Sequence, residues 1–164
     1  MVTQDQQTAV AGGGNGQGVW TQPLLDALPD QVYVKDLDSR FVFSNRATAQ
    51  FFNLTPTEMV GRSDFDFFPP GMAERFLEEE QALLKSGQPV MNREVRVFDQ
   101  LGRPRWILTT KVVMHGANGA PVGVVGMNRD ITSSKTLGDQ MRLQSAALRA
   151  TGSGVLITDK VGTI

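Results

Sequence analysis

The sequence has no cysteine, one histidine, one tyrosine and no long apolar run among its 164 residues. Without cysteine the chain has no disulfide framework, no thiolate nucleophile and no cysteine-bound metal. A net charge of -1 gives no indication of a nucleic-acid partner. No apolar stretch approaches the ~20 residues of a membrane span, and the N-terminus lacks the basic and apolar segments of a signal peptide. We therefore expect a cytoplasmic fragment without a membrane segment.

The rest of the chain divides into a polar start and a region of mixed elements. Residues 1–19 are Gly-rich and polar, which predicts disorder. A helical pattern follows over Val19–Leu28, and then two strands, "QVYVKD" and "RFVFS", are joined by the turn "DLDS". Asn45 and the capping box Thr55–Glu58 predict short helices. The pattern predicts a longer helix over Gly71–Ser86, and three strands follow it. This order indicates an α+β fold with an antiparallel sheet.

The end of the sequence resembles its beginning. At an offset of 123 residues, "DQVYVKDLDSRF" (30–41) aligns with "SGVLITDKVGTI" (153–164) in its apolar positions and its turn aspartate. Both segments follow a helical pattern. We therefore expect a second copy of the same domain to start within 151–164, so that the chain is a piece of a longer array.

Five stretches in order resemble the PAS family of sensor domains: "YVKDLDSRFVFSNRA", "VGRSDFDFF", "SGQPVMNREVRV", "RPRWILTTKVV" and "GVVGMNRDIT". The last contains Asp130-Ile131-Thr132, similar to the D-I-T junction that links the final PAS strand to an outgoing helix. The resemblance implies a PAS domain over 20–132, a connecting helix over 133–150, and a five-stranded antiparallel sheet of order 2-1-5-4-3. Short helices would cover one face of that sheet, and signalling helices would flank the domain.

The resemblance also implies a function. PAS domains are input modules of sensor histidine kinases, diguanylate cyclases and phosphodiesterases, and they share no catalytic residues. We therefore expect a sensory module that is not itself an enzyme. It would bind a small ligand or cofactor and relay the signal through its C-terminal helix. The alternative is a ligand-free PAS domain that acts through protein interaction and dimerisation.

The cofactor remains open, with a small organic ligand and a flavin both consistent with the resemblance. The lack of cysteine excludes cysteinyl-flavin photochemistry. The resemblance implies no haem, because haem-binding PAS domains usually carry the axial ligand on the long helix and Gly71–Ser86 has no histidine; His115 is predicted to be an exposed turn residue. The acidic residues do not predict a metal site, since "SDFDFFPPG" fits a calcium loop poorly. Asp64 and Asp66 are expected to cap helices or to pair with Arg62 and Lys85.

Candidate ligand-binding residues come from the region where PAS ligands bind. The phenylalanines there would line a pocket or simply fill the core. Trp106 would contact a ligand or cap the sheet, and strand parity does not decide which polar side chains face inward. The candidate set is Phe43, Asn45, Phe52, Phe68, Phe76, Arg93, Trp106, Thr110 and Asn128.

Signal output is expected where the sheet becomes the last helix, at Arg105, Asp130, Ile131 and Thr132. If His115 faces Ala120 across the last hairpin, Arg105 lies opposite Asp130; with a two-residue turn it becomes a diagonal neighbour, still within reach. The outgoing helix carries Leu137, Met141 and Leu148 near heptad spacing, with Gln144 interrupting the pattern. This weak seam predicts a homodimer through the flanking helices.

Overall fold

The computed structural model describes residues 18–150, with side chains for 21–146. These residues form five helices: α1 (Gly18–Asp26), α2 (Arg46–Phe51), α3 (Pro56–Met59), α4 (Pro70–Ser86) and α5 (Thr132–Ala150). A 3₁₀ turn spans Asp64–Asp66. Five strands form one sheet: β1 (Gln31–Lys35), β2 (Phe41–Ser44), β3 (Val90–Phe98), β4 (Pro104–His115) and β5 (Pro121–Asp130). Disorder is predicted for residues 1–19, and a second domain copy is predicted within 151–164. Apart from the first residues of α1, both segments lie outside the described residues.

The sheet is antiparallel with strand order β2-β1-β5-β4-β3, which confirms the predicted fold. The central strand β5 pairs with β1 on one side and β4 on the other. The short helices and α4 lie between β2 and β3 in the chain. Since side chains alternate along a strand, one face of the sheet carries Tyr33, Lys35, Thr109 and Lys111, and the other carries Trp106, Leu108 and Thr110. We call these the inner and outer faces.

Local signals in the sequence explain the short helices. The Asn45 side chain accepts a hydrogen bond from the Thr48 N–H and caps α2. Thr55 and Glu58 form a reciprocal capping box at α3. Helix α4 ends at Gly87, whose φ of 70° is the left-handed conformation that glycine adopts without strain. All three predicted helix boundaries are confirmed.

The hydrophobic core lies between the inner face and the helices. Its buried members are Tyr33, Phe41, Ala49, Phe52 and Met59. Aromatic rings dominate it, with edge-to-face contacts between Tyr33 and Phe41 at 5.5 Å and a stacked pair of Phe52 and Phe67 at 4.3 Å. This packing holds α2 and the 3₁₀ turn against β1 and β2.

The hairpin between β4 and β5 decides between the two registers left open above. Ile107 lies opposite Asp130, and His115 lies opposite Pro121. The register in which His115 faces Ala120 is therefore excluded, and Arg105 is a diagonal neighbour of Asp130, as in the alternative with a two-residue turn. His115 is exposed, as expected. Over residues 18–150, none of the helices combines the length and the apolar character needed to cross a bilayer.

Candidate functional site

A cavity of about 60 Å³ lies between the inner face of the sheet, α2, the 3₁₀ turn and α4. Aromatic side chains form one wall, among them Phe51, Phe52, Phe68 and Phe76. The inner sheet face forms the opposite wall and contributes polar and charged groups. The cavity therefore joins an apolar wall to a polar floor, which is how most small-molecule sites are built. Its volume is below the ~300–1,000 Å³ of drug-sized pockets.

A network of buried charges forms one end of the cavity. Lys35 Nζ on β1 lies 2.6 Å from Asp64 Oδ2 in the 3₁₀ turn and 2.9 Å from Glu80 Oε1 on α4. Lys111 Nζ on β4 also lies 2.9 Å from Glu80 Oε1. Glu80 is 0% exposed and Lys35 is 1% exposed. Two strands, a turn and a helix are thus held together by ion pairs inside the core.

The network continues toward the surface through Glu79 and Arg93. Lys111 Nζ lies 3.1 Å from Glu79 Oε1, and the half-exposed Arg93 guanidinium contacts the other Glu79 oxygen. Glu79 and Glu80 are adjacent on α4, so Lys111 spans both. The three cations and three carboxylates of the network balance, with no net charge.

The balance of burial and pairing sets the pKa values here. Burial disfavours the charge on Lys35, but Asp64 and Glu80 outweigh it, so the pKa of Lys35 is raised. Burial also disfavours the charge on Lys111, but the negative groups near it, Glu80 among them, outweigh burial and raise the pKa of Lys111. The two lysines overcome the burial of Glu80 and lower its pKa, whereas burial prevails at Asp64 and raises its pKa. Both lysines and Glu80 are therefore charged at neutral pH.

A row of uncharged polar groups crosses the other part of the cavity floor. Thr109 Oγ1 donates to Asn128 Oδ1 at 2.7 Å, and Asn128 Nδ2 donates to Gln31 Oε1 at 3.3 Å. These residues lie side by side on β4, β5 and β1, which we call the amide row. Next to it, the Tyr33 side chain lies across Gly126, where an added Cβ would come within 2.4 Å of two ring carbons and the hydroxyl oxygen. Glycine at this position lets the tyrosine lie flat beside the cavity.

The structure brings five of the nine candidate ligand residues to the cavity lining: Phe52, Phe68, Phe76, Arg93 and Asn128. The other four, Phe43, Asn45, Trp106 and Thr110, do not line it. Trp106 and Thr110 are on the outer face, because they alternate with Ile107, Thr109 and Lys111 along β4. The expectation that Trp106 borders the ligand pocket is corrected accordingly.

Phe43 and Asn45 also lie away from the cavity. Phe43 pairs with Val34 and shares its outward direction. Asn45 is 0% exposed, and its hydrogen bonds all go to the scaffold. Its Oδ1 accepts from the Val32 N–H at 2.9 Å, and its Nδ2 donates to two carbonyls, those of Leu25 and Asp30. Asn45 therefore ties α1 and β1 to α2 rather than facing the cavity.

The acidic residues also differ from expectation. Asp66 accepts from the Ser63 N–H at 2.7 Å and caps the 3₁₀ turn as predicted. Asp64 pairs instead with Lys35, which corrects the expected pairing with Arg62 or Lys85. In the described part of the chain no group of three or more histidine or acidic side chains could hold a metal ion.

The sequence reasoning missed the charged network. Its signal was present, because Glu80 continues the inward stripe of α4 through Ala73, Phe76 and Leu83 at helical spacing. Lys35 and Lys111 likewise occupy inward strand positions. An acid on an apolar helix stripe, together with lysines at inward strand positions, indicates a buried ion network.

Comparisons with known proteins agree with this architecture. The methanogenesis regulatory histidine kinase FilI of Methanothrix harundinacea is 31% identical over 134 residues, covering 79% of this chain and 15% of that protein. A diguanylate cyclase of Vibrio cholerae is 24% identical over 119 residues, covering 72% of this chain and 37% of its own length. The chain thus spans only a minor part of these relatives.

Solved structures show the same fold. The PAS domain of a Colwellia psychrerythraea protein superposes with a TM-score of 0.58 at 24% identity, covering 68% of this chain and 93% of that one. The PAS domain of Bordetella pertussis BvgS gives a TM-score of 0.55 at 24% identity, covering 77% and 93%. The sequence itself matches the family described as PAS fold over residues 25–136. The chain belongs to the PAS fold family.

Proposed function

We propose that this domain is the ligand-sensing input module of a longer signal-transduction protein, and that it senses a small molecule in the cavity. The observation that carries the proposal is the position of the amide row. Thr109 and Asn128 lie on β4 and β5, the two strands that contact the start of α5. A molecule bound to that row is therefore held by the strands that position the outgoing helix.

The junction between sheet and helix supports this route. The Ile131 N–H donates to the Trp106 carbonyl at 2.8 Å, and the Trp106 N–H donates to Thr132 Oγ1 at 2.9 Å. Lys135 on α5 lies over the Trp106 ring at 5.4 Å and bonds Glu94 Oε2 at 2.6 Å. Trp106 thus belongs with the junction residues, and it links β3 and β4 to the first turn of α5.

The pair of Arg105 and Asp130 is a weaker part of the junction. Arg105 Nη1 lies 3.5 Å from Asp130 Oδ2, while Arg105 also bonds Asp99 at 3.0 Å. Asp130 Oδ1 accepts from the Thr132 N–H at 2.8 Å and so fixes the start of α5. A partly exposed ion pair contributes ~0–1 kcal/mol. We propose that Asp130 acts mainly through its bond to Thr132.

The output is proposed from the relatives. FilI is a histidine kinase, and the Vibrio cholerae relative is a diguanylate cyclase. We propose that the parent of this module carries an enzymatic domain of one of these two classes, which α5 controls. The cytoplasmic location expected from the sequence stays a prediction.

Dimerisation through α5 is part of the proposal. Leu137 and Met141, two of the three predicted seam residues, are 61% and 69% exposed, and Leu143 is 70% exposed. The side chain of Leu148 lies outside the described residues. Exposed apolar side chains on an outgoing helix favour pairing with a second copy. Sedimentation of the chain with and without 133–150 should show a dimer that is lost on truncation; a monomer at high micromolar concentration in both would contradict it.

A ligand-free interaction domain is the second candidate, and the small cavity volume is the observation that favours it. Native mass spectrometry of the purified protein, followed by mass analysis of the denatured extract, separates the two. Sensing predicts a small molecule released in stoichiometric amount and lost in Thr109→Val, which removes a hydroxyl from the amide row. Thr110→Val changes the neighbouring residue on the outer face, and this variant should still release the small molecule. A ligand-free dimer with an unaltered mass in all three proteins would favour the interaction domain.

A further inference from the structure

Two hydrogen-bonding groups at the cavity are left without partners within residues 18–150. The Tyr33 hydroxyl makes no hydrogen bond there, although the residue is only 5% exposed. The Nε2 of Gln31 donates to no acceptor in the same range, since Gln31 takes part in the amide row only through its Oε1. Gln31 is 9% exposed. Neither atom is among the fully buried side-chain atoms that lack a partner, so both reach the open space of the cavity, where each can donate to a bound hydrogen-bond acceptor.

The charged groups at the cavity are, by contrast, held in ion pairs, although neither buried oxygen of Glu79 makes a hydrogen bond within them. Lys35 and Lys111 share Glu80, and Arg93 and Lys111 share Glu79. A charged molecule would have to separate one of these pairs or remain unpaired itself, and a buried charge without a partner is strongly disfavoured. Burial also raises the pKa of Tyr33, which keeps its hydroxyl protonated at neutral pH. The cavity therefore offers neutral donors and no free charge among the groups just named.

The aromatic wall defines the rest of the molecule. Phe52 and Phe68 meet edge to face at 5.6 Å, and Phe68 and Phe76 at 5.3 Å. They face the amide row across a space of about 60 Å³. Such a space accepts a molecule of a few heavy atoms with an apolar body.

We propose that the cavity selects a small uncharged molecule with a hydrogen-bond acceptor, such as a carbonyl oxygen or a ring nitrogen, and an apolar body, and that it discriminates against charged molecules of the same shape. This inference rests on the proposed function as a ligand sensor, and it names the class of ligand. The Tyr33 hydroxyl and the Gln31 amide bind the acceptor, and the phenylalanines pack against the apolar part.

A series of isosteric probes tests the charge rule directly. Acetone and acetamide are neutral, acetate carries a negative charge, and acetamidinium carries a positive one, while all four have nearly the same shape. Such small probes bind weakly, so the measurement is a ¹⁵N–¹H chemical-shift titration of the chain at constant ionic strength. Acetone and acetamide should shift the Tyr33 and Asn128 amides with saturation, and both ions should bind at least tenfold more weakly.

Variants test the assigned donors. Tyr33→Phe removes only the hydroxyl and should weaken acetone binding at least threefold, while Thr110→Val on the outer face should leave it unchanged. Dispersed spectra of both variants would show that they fold. Should Tyr33→Phe bind acetone as well as the original chain, the hydroxyl is not the donor and the assignment is overturned.

The outcomes separate the two levels of the proposal. If acetate or acetamidinium binds in the cavity as tightly as acetone, the charge rule is wrong, although the cavity remains a ligand site. If none of the four probes shifts the cavity resonances and the purified protein releases no small molecule, ligand sensing itself is refuted. Binding of the two neutral probes without binding of the two ions supports both the charge rule and ligand sensing.

Discussion

Replacing Glu80 by glutamine keeps the shape of the side chain but removes the negative charge that two buried lysines share. Glu80 accepts from Lys35 at 2.9 and 3.2 Å and from Lys111 at 2.9 Å, and it is fully buried. The network then changes from neutral to one net positive charge inside the core. Breaking a buried ion pair on one side costs about 3–5 kcal/mol, because the remaining charge loses its partner.

Urea denaturation measures this cost. With a slope of ~2 kcal/mol per molar urea, Glu80→Gln should lower the midpoint by about 1.5–2.5 M. The matched control is Glu78→Gln on the same helix, where the side chain is exposed; its change should stay within ~0.5 kcal/mol. If the two variants unfold at the same urea concentration, Glu80 is not held in a buried ion network.

A double-mutant cycle identifies the cause as charge. Lys111→Met alone removes a cation and leaves an excess negative charge, whereas Lys111→Met combined with Glu80→Gln restores neutrality. The double variant should therefore be more stable than the sum of the two single changes predicts, by ~1–3 kcal/mol. Additive losses would mean that the two side chains contribute through packing alone.

Three further predictions follow from other parts of the domain. Gly126→Ala should destabilise the fold and displace the Tyr33 ring, because the added Cβ would overlap that ring. Gly138→Ala in α5 meets no neighbour and should stabilise the helix by ~1 kcal/mol. Thermal melts of the two variants check these changes in stability. The two buried lysines and the buried tyrosine all have raised pKa values, so their stabilisation is complete below the ordinary values near ~10 and is lost as the pH rises above them. Denaturation from pH 7 to 11 should show a late fall that is shallower in Lys111→Met. Trp106→Leu should speed amide hydrogen exchange in α5 without weakening acetone binding, and weaker binding would place Trp106 at the cavity after all.

The sequence predicted those parts of the fold that depend on neighbours in the chain. The capping box at Thr55–Glu58 and the stop at Gly87 need only local backbone groups, and both are present. The order of the strands came instead from the family resemblance, since β1 and β5 pair across about ninety residues of sequence. No local pattern contains that pairing.

The candidate site was predicted only in part, for a physical reason. Both faces of β4 carry apolar residues, such as Ile107 and Leu108, so the alternation alone does not show which face is inner. Trp106 was therefore placed on the wrong side. The burial of Glu80 was not predicted, because charged residues are rarely buried unless paired and the sequence near Glu80 shows no partner. Its partners on β1 and β4 lie 45 and 31 residues away.

The most direct test of the account is whether occupation of the cavity changes the start of α5. The amides of Ile131 and Thr132 can be followed by ¹⁵N–¹H spectra while acetone is added to the chain. Both amides should shift in step with those of Tyr33 and Asn128, and Trp106→Leu should abolish only the shifts at the junction. Saturation of the cavity with no change at Ile131 or Thr132 would contradict it, because the ligand would then have no route from the sheet to the helix.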